Sequence, residues 1–272
     1  MRTDYHVHTF PEAIAPRAIA KLSECAGMHA HTSGTLADLQ LSMQNAGIDR
    51  SILLPVATKP GQYRGINDEA YRLHETCEET GIDSFGGIHP LDENYKEIIS
   101  ELSAHGIHGI KLHPAYQGVN FDDPKFMRIV GCAAEHDMAI TIHPGYDIGL
   151  PGMEQGLPSH ILPVINEVRA PKLILAHMGG WNCWDLVLEQ LAGSDCYFDT
   201  SFSINAVDQL DGIRKHYMTN EQFVTLARAH GINKLLPGSD SPWTDQKDAF
   251  DILYNCGLTK EEADTISHAC LF

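Results

Sequence analysis

The sequence predicts an α/β chain folded as one (β/α)8 TIM-barrel domain over residues 1–272, and three observations carry that prediction. Short apolar, β-branched runs alternate with amphipathic helical stretches from end to end. Eight such units fit into 272 residues at roughly 34 residues each, which favours a closed barrel of parallel strands. No G-x-G-x-x-G follows the first strand, which weakens an open, dinucleotide-binding sheet.

The strands are expected at 2–8, 51–56, 83–89, 107–113, 139–143, 172–177, 196–200 and 234–240. Thr35 should cap the helix that begins at Leu36, with Asp38 three residues on as in a capping box. Gly47, Gly81, Gly106 and Gly231 each follow a helical stretch and precede a strand, where a helix C-cap belongs. Asp123-Pro124 should open a helix through Glu135, since proline suits the first helical position. Two long loops are expected after strands 1 and 5, at 9–34 and 145–159, on the barrel face where sites are built. An extra C-terminal helix is expected at 260–269.

Composition removes several function classes. Lys+Arg 19 against Asp+Glu 36 gives a net charge of −17, which argues against a nucleic-acid partner. No apolar run of about 18 residues predicts a membrane span, and no basic-then-apolar leader opens the chain. Seven cysteines without a C-x-x-C pair read as buried free thiols of a reducing, cytoplasmic setting. Histidine is the unusual residue: there are sixteen, and only their placement separates a His-rich surface from metal binding.

That placement is informative. Six of the eight predicted strands end in a metal-capable side chain: His6 and His8, His89, His113, His143, His177 and Asp240. In a barrel these ends converge on one mouth. His6 and His8 share a face of their strand, since residues two apart point the same way, and Asp4 lies one layer deeper. His29-Ala30-His31 repeats the spacing in a loop without strand context.

Tyr5-His6-Val7-His8, Ile142-His143-Pro144-Gly145, Leu175-Ala176-His177-Met178-Gly179-Gly180 and Gly238-Ser239-Asp240-Ser241-Pro242 resemble motifs of the amidohydrolase superfamily. Together with Asn45-Ala46-Gly47-Ile48-Asp49-Arg50-Ser51 and Gly87-Ile88-His89-Pro90, they are most similar to its amidohydrolase-related branch, which includes aminocarboxymuconate semialdehyde decarboxylase-like proteins. The resemblance implies that His6, His8, His143 and Asp240 ligate a divalent metal, zinc first, with Mn2+, Fe2+ or Co2+ also compatible, as one or two ions. It makes His177 either a second-metal ligand or a free acid/base. Lys111 is open between a carboxylated, metal-bridging lysine, a contact to a substrate carboxylate, and an ion pair with a barrel acid. His113 and His89 precede prolines and are either turn residues or substrate contacts. Trp181, Trp184 and Trp243 either wall the pocket or pack loops, and Asp199 and Ser201 are polar candidates without specific support. Barrels of this branch commonly pair, so a homodimer is expected.

Two catalytic readings follow, both on a small-molecule substrate. The first is a metal-dependent hydrolase, in which a metal-activated water attacks an amide, lactone or ester, Asp240 takes its proton, and His177 or the metal stabilises the oxyanion. The alternative is a non-hydrolytic metal-dependent decarboxylase of the same branch. No arginine stands at a strand end beside the motifs to orient a carboxylate, which tilts the sequence reading toward hydrolysis. A catalytically silent binding barrel would not need the assembled ligand set. Serine-nucleophile, kinase and Walker signatures are missing, and paired carboxylates for glycoside cleavage are weak beside strand ends that carry histidines.

Overall fold

A computed structural model describes residues 1–272. Eight parallel barrel strands run at Thr3–Val7, Arg50–Leu53, Ile82–Ser84 continuing as Gly86–Gly87, Gly109–Leu112, Ala139–Ile142, Leu173–Leu175, Tyr197–Asp199 and Leu235–Leu236. Each falls inside or beside its predicted span. Phe85 interrupts the third strand but still donates its N–H to Leu53 O, so the ribbon stays continuous. Closure between the first and last strands comes from Tyr5 N–H to Pro237 O, Asp240 N–H to His6 O and His8 N–H to Ser241 O. The barrel is therefore closed at the level of His6, His8 and Asp240.

Strand alternation sorts the layers. In the fourth strand Ile110 and Leu112 join the apolar layer that also holds helix residues such as Phe126 and Ile129. Lys111, between them, lies on the opposite face and is 1% exposed. The expected helix boundaries hold. Asp38 N–H donates to Thr35 Oγ1, Lys125 N–H donates to Asp123 Oδ1, and Gly47 and Gly81 take left-handed backbone at their helix C-caps. The C-terminal helix spans Lys260–Ser267 behind a Thr259–Glu262 capping box.

Two elements depart from expectation. The loop after the first strand contains a helix, Ala15–Ala26, and an antiparallel hairpin, Ala206–Asp208 with Arg214–His216, follows the seventh strand. The loop expected at 145–159 stays irregular up to the helix Pro158–Val168. There Gly145 packs against the next loop so closely that a Cβ would lie 2.5 Å from Trp181 N, and its φ is +81°. All seven cysteines are free; five are buried, whereas Cys25 and Cys270 are exposed. No helix is long and apolar enough to cross a membrane.

Below the site, His230 stacks on Phe198 with ring centroids 3.6 Å apart. Its Nδ1 accepts from Gly193 N–H at 3.3 Å and its Nε2 lies 3.0 Å from Cys196 O, so the neutral ring fits as one acceptor and one donor. Burial lowers its pKa to about 4 from the ordinary 6.5. Between those values the unfolded chain binds the extra proton, so stability rises with pH and is lost as pH falls from 6.5 towards 4. The expected loss from this residue is about 3 kcal/mol. Denaturant unfolding at pH 7 and pH 4 should show His230→Gln with a shallower pH dependence than wild type; parallel curves would remove His230 from the acid sensitivity.

Candidate metal centre

The closing hydrogen bonds of the barrel set the geometry of the site. They hold Asp240 beside the first strand, so that its Oδ1 lies 3.1 Å from His8 Nε2 and 3.4 Å from His6 Nε2. Asp240 and His177 both occupy left-handed backbone, at φ 66° and 55°. Non-glycine residues persist there only when their surroundings hold them.

Asp199, fully buried at the end of the seventh strand, orients the ring of His6. Its Oδ2 lies 2.8 Å from His6 Nδ1, while Oδ1 accepts the N–H groups of His177 and Ser201 at 3.0 Å each. A carboxylate at Nδ1 places the imidazole proton there and leaves the Nε2 lone pair facing Asp240. Two acceptors 3.4 Å apart repel each other unless a cation stands between or beside them. Lys111 Nζ, 3.4 Å from His6 Nε2, provides one positive charge.

The same reasoning applies to the next pair. His177 Nδ1 lies 3.1 Å from Ser201 O, and His143 Nε2 lies 3.0 Å from Tyr146 O, so both protons are directed at carbonyls. The remaining nitrogens, His177 Nε2 and His143 Nδ1, face each other as lone pairs at 3.0 Å. Burial holds His6 and His177 well below the ordinary imidazole pKa, and His143 below it as well, so the rings stay neutral and able to ligate. The donor set therefore fits a divalent cation: His6, His8 and Asp240 offer ligand atoms within 4.8 Å of one another.

His143 groups instead with His113 and Asp147. Its ring stacks on His113 at 4.2 Å, and Asp147 Oδ2 lies 3.5 Å from His143 Nε2 and 3.3 Å from His113 Nε2. Of the four expected ligands, His6, His8 and Asp240 gather in one group, while His143 Nδ1 lies 3.0 Å from His177 Nε2. Burial alone would raise the Asp147 carboxyl, but the His113 bond and the His143 ring outweigh it and hold it low. Burial also pushes His113 down to about 3, and its Nδ1 accepts from Tyr116 N–H. His113 is therefore both a turn residue and part of the mouth. His89 is a turn residue, with Nδ1 accepting from Leu91 N–H.

Burial lowers Lys111 to about 8, and no carboxylate lies within ion-pair distance of its ammonium, which disposes of the ion-pair alternative. Trp181 and Trp243 line the pocket over the site, whereas Trp184 packs the loop by donating Nε1–H to His177 O. His31 faces Asp208 of the hairpin at 3.6 Å, so the second H-x-H lies apart from the metal-ligand group. Sequence reading missed Asp147 altogether and gave Asp199 no role. The only available signal for Asp147 was its position four residues after His143 in the loop.

The pocket has a volume of about 90 Å3. Leu22, Ala26 and Met28 from the unexpected helix region, with Ile148, Trp181, Phe202 and Trp243, give it a mainly apolar wall that meets His143, Asp147 and Asp240. A small apolar chamber with a few polar groups at one end is how small-molecule sites are commonly built.

Similarity to known proteins agrees with this geometry. The chain superposes on an uncharacterized TIM-barrel protein from Bordetella bronchiseptica with a TM-score of 0.71 and 13% identity, over 98% of this chain and 95% of that one. A 2,6-dihydroxybenzoate decarboxylase from Rhizobium gives 0.69 at 15% identity, over 98% and 96%. A 5-carboxyvanillate decarboxylase from Novosphingobium aromaticivorans, complexed with manganese and 4-hydroxy-3-methoxy-5-nitrobenzoic acid, gives 0.67 at 14% identity, over 98% and 93%. At these identities the likeness establishes the fold. No curated protein sequence matches the chain. The sequence profile of the Amidohydrolase family matches residues 3–267, and with its motif residues gathered at one barrel mouth the chain belongs to that family.

Proposed function

We propose that this protein is a metal-dependent, non-hydrolytic decarboxylase of a small aromatic carboxylic acid. The observation that carries the reading is the apolar wall of the pocket, which reaches the His6, His8 and Asp240 group at Asp240. Moving a carboxylate out of water into apolar surroundings disfavours it relative to neutral CO2, and aromatic side chains suit a flat ring. Several solved structures of similar fold are decarboxylases of hydroxylated benzoates, which supports the same choice over hydrolysis. The missing strand-end arginine loses its weight, because the buried Lys111 ammonium supplies a cation beside His6.

A divalent cation held by His6, His8 and Asp240, zinc or manganese by its donor set, would supply positive charge to substrate oxygens. Trp181, Phe202 and Met28 bind the ring and exclude water. Lys111 offsets negative charge beside His6. The facing lone pairs of His177 Nε2 and His143 Nδ1 would take up one proton from solvent and pass it to the ring carbon as its bond to the departing CO2 breaks, so that hydrogen replaces the carboxyl group.

The test is a panel of hydroxybenzoates, muconate-type acids, lactones and N-acyl compounds assayed with metal-loaded protein, with CO2 release monitored. CO2 evolved from an aromatic acid, with the decarboxylated ring as product, is the expected result. Hydrolysis of a lactone or N-acyl compound without CO2 would overturn the reading in favour of a hydrolase.

A further inference from the structure

A second cluster of metal-capable side chains lies at the opposite end of the barrel, on elements that take no part in the mouth. Asp83 stands near the start of the third strand, His74 in the last turn of the helix Tyr63–Glu75, and His108 immediately before the fourth strand. Asp83 is 2% exposed. Its Oδ1 is satisfied twice, accepting Ser84 N–H at 2.8 Å and lying 3.1 Å from His74 Nδ1. Its Oδ2 is buried with no hydrogen-bond partner, although His108 Nε2 points to it from 4.0 Å. An unpaired carboxylate oxygen in the interior carries a desolvation cost that some positive partner normally offsets. The nearby arginine, Arg50, is directed instead to Glu78 at 3.1 Å and Cys77.

We propose that His74, Asp83 and His108 form a second divalent-cation site, of Zn2+ type, that fastens the lower face of the barrel. One nitrogen from each histidine and one Asp83 oxygen lie within 4.8 Å of one another. Tetrahedral ligands about 2.0–2.1 Å from zinc sit roughly 3.3 Å apart; His74 Nδ1 lies 3.1 Å from Asp83 Oδ1 and His108 Nε2 4.0 Å from Oδ2, so a small turn of the carboxylate and of the His108 ring reaches that spacing. His108 has room for that rotation, with 38% of its side chain exposed, and solvent there completes the coordination. His74 is held more firmly: Gly106 packs so closely that a Cβ there would lie 2.9 Å from His74 Nε2, which keeps Nδ1 turned to Asp83. Two neutral imidazoles and one carboxylate are ligands that suit Zn2+.

The site would add a metal link among three elements: a helix end, the entry of the third strand and the entry of the fourth. It would also fix the His108 ring, on which Phe272 stacks with centroids 4.6 Å apart. Features at this end of a barrel serve stability rather than chemistry, so the expected role is structural. The inference is independent of the reaction at the mouth.

The experiment counts zinc by equilibrium dialysis of chelator-stripped protein, comparing wild type with His108→Phe, which keeps a ring against Phe272 but removes the nitrogen, and with His108→Gln. Wild type should hold one Zn2+ equivalent more than either variant. Zinc in hundredfold excess over its Kd should raise the wild-type Tm on the order of 5 °C further than it raises the variant's. Crystals soaked in Zn2+ should give an anomalous peak among His74, Asp83 and His108 in addition to any at the mouth. Equal stoichiometry in wild type and both variants, or anomalous density confined to the mouth, would overturn the proposal.

Discussion

Replacing Asp240 by Asn is expected to remove the divalent cation from the mouth of the barrel and, for the proposed decarboxylase, to abolish CO2 release. Asparagine keeps the shape of the side chain and tolerates left-handed backbone, so the strained φ of 66° is retained. What changes is charge. Oδ1 now faces His6 Nε2 and His8 Nε2 as a neutral amide atom, and the two imidazoles lose the anion that makes them a cation site. Loss of groups that merely support ligands costs about 10–100-fold in metal affinity, which sets a floor for loss of a ligand itself. Metal content by mass spectrometry of the dialysed protein, alongside turnover, is the measurement. Full metal occupancy in the variant would remove Asp240 from the ligand set, and full turnover would remove it from the chemistry.

A second large effect is expected at Asp199, whose carboxylate reaches the substrate only through other residues. Asp199→Asn would set an amide N–H2 against His6 Nδ1, where the acid now accepts a proton at 2.8 Å. The ring would answer by moving its proton to Nε2, and the lone pair aimed at the metal position would vanish. Metal affinity should fall about 10–100-fold. Its main-chain acceptor bonds to His177 and Ser201 can be kept by the amide oxygen, so the fold should survive. Titration with Mn2+ and Zn2+ reads the affinity, and a pH titration of the histidine resonances reads the tautomer. An unaltered His6 tautomer with unaltered affinity would reduce Asp199 to a packing residue.

These two residues differ in how far the sequence revealed them. Asp240 sits in a motif at a strand end, where charge, position and family pattern coincide. Asp199 also ends a strand, but its role depends on donors from three separate positions, His6, His177 and Ser201, which only closure of the barrel brings together. The eight strands were legible for a related reason: their apolar runs are regular and each is buried. The helix Ala15–Ala26 escaped because it lies between Pro11 and Gly27 within a long strand-to-strand connection and buries only Ala15. The outer strand of the hairpin, Arg214–His216, is exposed along its whole length and shows no alternation to detect. Asp147 acts through a bend of the irregular loop after the fifth strand, and no local periodicity encodes where that bend points.

The helix that escaped prediction has a consequence for how such a protein changes over time. The groups that hold charge are anchored in strands and locked by main-chain bonds across the barrel seam. Leu22, Ala26 and Met28, which shape the chamber, belong instead to an insert outside the barrel wall and touch the catalytic end only through the space they leave. One part of the pocket wall is thus carried on a different part of the chain from the charged groups. Under the proposed function, a library confined to those three positions would change which ring size the chamber accepts while leaving His6, His8 and Asp240 in place.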